Sequence, residues 1–93
     1  MEHPNDLELL AEKAELLKAM AHPVRLCILR GLLEQGECNV TKIQTCLEMP
    51  QSTVSQHLGK LRDLGIIKGT RHGVEIYYQV VHEDVRKILE ALF

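Results

Sequence analysis

Residues 50–67, PQSTVSQHLGKLRDLGII, admit few folded arrangements. Val54, Leu58 and Leu61 recur at steps of four and three, which places them on one side of a helix. Ser52, Gln56, Gly59 and Asp63 fall on the opposite side, flanked by Thr53, Ser55, Lys60 and Arg62. A helix that buries Val and Leu while crowding Ser, Thr and Gln at its start suits a groove lined with base edges. Short side chains let the backbone approach, and a Gln amide bonds two atoms of one base. The competing reading is a surface helix with a solvated polar face.

The neighbouring segments bear on that choice. Asn5 or Asp6 caps a helix over roughly 6–20, with Leu7, Leu10, Ala14 and Leu17 on one stripe. Ala21-His22-Pro23 breaks it, and Pro23 suits the first turn of a second helix over about 23–34. That helix is apolar nearly all round, through Val24, Leu26, Cys27, Ile28, Leu29, Leu32 and Leu33, as expected of a central core helix ended by Gly36. Asn39 or Thr41 starts a short third helix to about Leu47, with Val40, Ile43 and Leu47 facing in. A turn at Glu48-Met49-Pro50 leads into the helix of 51–64, which Gly65 caps. Ile66 to Arg71, a turn at His72-Gly73 and Val74 to Val80 read as a β-hairpin. Tyr78 is expected beneath it and Tyr77 exposed. A last helix over about 82–92 carries Val85, Ile88, Leu89 and Leu92. The expected fold is mainly α with a small β-hairpin, in the order helix, helix, helix, helix, strand, strand, helix. Two helices joined by a short turn and followed by a two-stranded wing make a winged helix-turn-helix.

Composition limits the alternatives. Ninety-three residues suit a single domain over 1–93 with a thin core, a size that often gains stability by dimerising. Net charge is −2, but the charge is unevenly spread. Residues 1–20 carry five acids against Lys13 and Lys18; residues 51–72 carry Lys60, Arg62, Lys68 and Arg71 against Asp63. The basic segment is expected to face a polyanion and the acidic one to face away. Three cysteines, with no export-type spacing or leader, point to a reducing cytoplasm. No apolar run approaches a membrane span. No phosphate-binding loop, nucleophile–base pattern or His pair at i, i+4 appears, so neither an enzyme nor a cofactor is expected.

With these elements in place, the chain resembles the ArsR/SmtB family of bacterial winged-helix repressors. The likeness is carried by LLKAMAHPVRLCILRGLL (16–33), STVSQHLGKLRDLGII (52–67) and RHGVEIYYQV (71–80), in family order over most of the chain. It implies a homodimer built from the first and last helices on an inverted-repeat operator. Many members release DNA when a metal binds, but neither common ligand pattern matches. Where metal-sensing members place two cysteines after a Gly-Glu, GECNVTKI (36–43) has Asn39 and Thr41, with Cys38 shifted beside them. The paired ligands of the last helix have no counterpart in VVHEDVRKILEALF, which ends before a second pair. The pattern is similar to regulators of toxin or virulence genes that lack metal sites.

The expected base readers are Gln51, Ser52, Thr53, Ser55 and Gln56, because the start of a recognition helix enters the groove. Lys60 and Arg62 are expected at phosphates, as is Thr41 at the preceding helix start, and Lys68, Arg71 and His72 of the wing are expected at a flanking phosphate or the minor groove. His57 is expected either packed or touching phosphate. The expected dimer surface is Leu7, Leu10, Leu17, Ile88, Leu89, Leu92 and Phe93. Cys27 reads as core filler. Cys38 and Cys46 are the candidates for a thiol- or metal-responsive sensor, since a thiolate is favoured near a helix start. The expected partners are double-stranded DNA and a second copy of the chain, with any small inducer unspecified. A rival of another class is a protein-interaction module that kept the shape and lost DNA binding.

Overall fold

The computed structural model describes residues 6–93. The expected Asn5 cap lies outside the described residues. The elements are α1 (Leu7–Met20), α2 (Pro23–Gln35), β1 (Cys38–Asn39), α3 (Val40–Leu47), α4 (Gln51–Asp63), β2 (Ile67–His72), β3 (Glu75–Val80) and α5 (Glu83–Leu92). The helix order matches the expectation. The two-residue strand β1 is additional: it pairs antiparallel with β3, Cys38 opposite Tyr78, and makes a three-stranded sheet of order β1-β3-β2.

Local chemistry explains most boundaries. His22 precedes α2 with its Nδ1 accepting from the Val24 N–H at 3.1 Å, and Pro23 follows as the first helical residue. Asn39, not Thr41, caps α3: its Oδ1 accepts from the Lys42 N–H at 2.8 Å. At the end of α4 the Ile66 N–H donates to the Leu61 carbonyl and the Gly65 N–H to that of Arg62, with Gly65 at φ 72°. That is the Schellman arrangement, in which a left-handed residue satisfies the last carbonyls and turns the chain away. Here it aims Ile66 and Ile67 into the core as β2 begins.

The hairpin turn lies one residue later than the sequence suggests. His72 pairs with Glu75, leaving Gly73-Val74 as the two-residue loop. Gly73 has φ 67° and Val74 does not share a positive φ, the pattern of a II′ turn. The ladder parity survives, so Tyr78 and Val80 face inward; Ile76, nearer the tip, remains 41 % exposed.

The core gathers Leu29 and Leu32 of α2, Val54, Leu58 and Leu61 of α4, Ile66, and Val85 and Leu89 of α5. Two expectations change. On α2 the buried side chains are Ile28, Leu29 and Leu32, and Cys27 is exposed, so it is not core filler. Leu89 is fully buried and leaves the proposed dimer surface. Val85 and Leu89 lie one turn apart on the inner face of α5, which pushes Ile88 and Leu92 onto a second stripe. Ile88 is partly buried and Leu92 60 % exposed.

On α1 the buried residues are Leu16, Ala19 and Met20, leaving Leu7, Leu10 and Leu17 exposed on the other face. Lys13 Nζ meets Asp84 Oδ2 at 2.9 Å and ties α1 to α5. This hydrogen bond, with the attraction of the charges, holds the Asp84 carboxyl below its usual range and the Lys13 ammonium above its own. No helix among the described residues is long and apolar enough to cross a membrane.

Candidate nucleic-acid interface

Helix α4 divides as its sequence predicts. Val54, Leu58 and Leu61 are buried, while Gln51, Ser52, Ser55, Gln56, Lys60 and Arg62 are exposed and Thr53 half-buried. Pro50 precedes the helix and brings no side-chain acceptor to its start, and no acidic residue occupies the first turn. The Thr53 N–H donates to the Pro50 carbonyl at 3.1 Å, which leaves the N–H groups of Gln51 and Ser52, beside exposed short polar side chains, as the donors at this end.

Three elements meet beside that start. Thr41 of α3, Gln51 and Ser55 of α4, and Val74, Glu75 and Ile76 of the wing line one cleft of about 290 Å³. The start of α3, the start of α4 and the wing tip thus share one surface. Lys68, Arg71 and His72 are exposed on β2. Arg71 Nε donates to the Gly73 carbonyl at 3.0 Å, bracing the turn. The His72 ring lies edge-on to Tyr77, with Nε2 3.9 Å from Glu37 Oε1.

Glu75 is a residue in this region that the sequence does not single out. Glu75 Oε2 accepts from Asn39 Nδ2 at 3.1 Å and from the Tyr77 hydroxyl at 3.0 Å. Asn39 thus caps α3 with its oxygen and holds the wing with its nitrogen. The cap was legible in the sequence; the second bond depends on β1, and a two-residue strand has no periodicity to read.

His57 is half-buried and turned toward α2. Its Nδ1 lies 3.4 Å from Arg25 Nη1, and its ring sits 4.8 Å from that of His22. Desolvation, then the nearby His22 and Arg25, push its pKa below the usual imidazole value. It is placed to set α4 against α2. Arg62 Nε lies 3.9 Å from Asp63 Oδ1, an exposed and weak pairing.

The cysteines depart from expectation. Cys38 lies on β1 and not in a free loop; it is 4 % exposed, and its thiol donates to Gln35 Oε1 at 3.1 Å. Burial closes this thiol to reagents and ligands arriving from solvent. Cys46 is exposed. Among the described residues no group of three or more His, Cys, Asp or Glu side chains is placed to hold a metal ion.

An α3–turn–α4 pair with an outward polar helix, followed by a β2–β3 wing, defines the chain as a winged helix-turn-helix protein. Comparison with known proteins carries this further. Residues 22–68 match the model of the bacterial regulatory protein arsR family. The transcriptional repressor PagR of Bacillus anthracis is 45 % identical over 92 residues, spanning 99 % of this chain and 92 % of PagR. Its crystal structure superposes with a TM-score of 0.84 at 46 % identity, covering 92 % of this chain and 98 % of that one. A homodimeric winged helix-turn-helix DNA-binding domain from Mycobacterium bovis gives a TM-score of 0.84 at 34 % identity, covering 98 % of this chain and 83 % of that domain. The chain belongs to the arsR family of bacterial regulatory proteins. It is a regulator, not an enzyme.

Proposed function

We propose that this protein is a homodimeric transcriptional repressor that binds an inverted-repeat operator in the cytoplasm. The observation that carries the reading is the convergence of the α3 start, the polar face of α4 and the wing tip on one surface. Helix α4 enters the major groove through Gln51, Ser52, Thr53, Ser55 and Gln56, which offer amide and hydroxyl groups to base edges. Thr41, Lys60, Arg62, Lys68, Arg71 and His72 meet phosphates, which fix register without reading sequence. The names of the relatives support repression; a dimer seated on a promoter blocks polymerase.

The dimer surface in this reading is Leu7, Leu10, Leu17, Ile88, Leu92 and Phe93. Leu7, Leu10, Leu17, Leu92 and Phe93 are 42–66 % exposed, and large apolar side chains grouped on the terminal helices suit an interface between copies. Arg30 covers part of the Phe93 ring at 4.7 Å. Pairing through this surface would set two α4 helices about 34 Å apart, one turn of DNA.

The test is selection of genomic fragments by the purified protein, followed by titration of the recovered promoter in chelator at several salt concentrations. Binding to a two-fold symmetric site, falling steeply with salt, supports the reading. Salt-independent binding, or none, would leave the protein-interaction module as the better account. Loss of binding on adding one equivalent of zinc or cadmium would replace metal-independent repression with metal sensing.

A further inference from the structure

All three cysteines of the chain line one small cavity between α2 and α3, of about 110 Å³. Its floor is apolar, formed by Ile28, Leu32, Ile43 and Leu47. Cys38 lies buried with its thiol proton given to Gln35, while Cys27 and Cys46 are exposed. Lys42 also lines the cavity and sits one turn before Cys46 on α3. A reachable thiol, an ammonium donor and an apolar floor are thus gathered in one space. An apolar cavity of about 150 Å³ holds a benzene molecule, so this one, open at its mouth, suits a slightly smaller ring or short chain.

We propose that this cavity is an effector site for small, mostly apolar α,β-unsaturated carbonyl compounds, captured by Cys46. The reaction is conjugate addition. Cys46 Sγ bonds to the β-carbon of the alkene, and the π pair moves through the α-carbon to the carbonyl oxygen. Lys42 donates a hydrogen bond to that oxygen as charge develops on it. The thiol proton ends on the α-carbon. Nothing leaves and nothing is oxidised.

The site couples to DNA through α3, the first helix of the helix-turn-helix. An adduct on Cys46 occupies space between α2 and α3, so it favours whichever position of α3 leaves most room for it and shifts the helix that way. Movement of α3 alters the seat of α4 and, through Asn39, the hold on Glu75 in the wing. The effector role rests on the DNA-binding reading above; the capture chemistry does not.

The test treats the purified dimer with cyclopentenone. Intact mass and peptide mapping follow the adduct, and fluorescence anisotropy follows binding to the selected promoter. The expected result is a single adduct on Cys46, formed about tenfold faster than in the urea-denatured chain, as a preorganised site requires. Promoter affinity should fall by about tenfold with the adduct, a typical allosteric coupling. Cys46→Ser should bind promoter as the parent does and respond to neither reading, and Lys42→Met should slow the addition while leaving Cys46 reactive. Modification of Cys46 no faster than in denatured chain, or of Cys27 instead, overturns the capture site. An adduct on Cys46 that leaves promoter affinity unchanged overturns the effector role. Should the unmodified protein bind no DNA, the DNA-binding reading fails, and the labelling rates alone still decide the capture site.

Discussion

Arg25 Nη1 lies 3.4 Å from His57 Nδ1, linking the first turn of α2 to the middle of α4. A guanidinium only donates, so this contact requires Nδ1 to accept, which puts the imidazole proton on Nε2. The Nε of the same Arg25 donates to the Ala19 carbonyl at the end of α1. One side chain therefore bridges three helices, and a neutral His57 suits it.

Stability should consequently fall in mild acid. The His57 pKa is depressed in the folded chain, so above about pH 6.5 the ring is neutral both folded and unfolded and costs nothing. As pH drops below that value the unfolded chain takes up the proton first, and folding is progressively disfavoured down to the folded pKa. Urea midpoints measured from about pH 8 to about pH 5 should decline, and His57→Gln should flatten that decline. An identical slope for parent and variant would remove His57 as the source.

Readers and anchors on α4 should separate by salt. Gln56→Ala should reduce discrimination between operator and scrambled DNA by about 1–3 kcal/mol, as expected for a lost base contact. Lys60→Ala should weaken both about equally and lower the slope of log K against log salt by about one. Unchanged discrimination in Gln56→Ala would take Gln56 out of the base-reading set.

Asn39 should show two separable roles. Asn39→Ala removes the cap of α3 and the tie to Glu75, and should cost about 1–2 kcal/mol in urea unfolding. Asn39→Asp keeps an oxygen for the Lys42 N–H but sets a carboxylate against Glu75. It should retain most of the stability and loosen the wing, seen as faster amide exchange along β3. Equal destabilisation by both variants would mean that the cap carries little of the effect.

How much of this was readable in the sequence follows from periodicity. Val54, Leu58 and Leu61 repeat over two turns, which places both the helix and its buried face. A helix with two adjacent apolar stripes is harder. Ile88 and Leu89 are neighbours in sequence, and only the position of the core decides which turns inward; Leu89 does, and the dimer surface loses it. Cys27 was misplaced for the same reason, in a helix apolar nearly all round. Strand β1 is not legible because two residues show no alternation, and the burial of Cys38 and the link from Asn39 to Glu75 depend on it. The cavity gathers cysteines up to nineteen residues apart, from Cys27 to Cys46, which spacing along the chain does not reveal.

The two stripes of α5 give the sharpest test of the assembly. Leu92 is 60 % exposed and Leu17 on α1 is 52 % exposed, so a carboxylate at either is solvated in a lone chain. In a dimer that buries them, the same carboxylate enters an apolar interface unpaired, at a cost of several kcal/mol. Leu17→Glu and Leu92→Glu should therefore sediment as folded monomers with unchanged far-ultraviolet circular dichroism, and should bind a full operator no better than a single half-site. Leu89→Ala acts differently, because its side chain is fully inside. It should lose about 2–5 kcal/mol of folding stability through the transfer and cavity terms. Glu variants that still sediment as dimers would place the interface elsewhere, whatever Leu89→Ala does to the core.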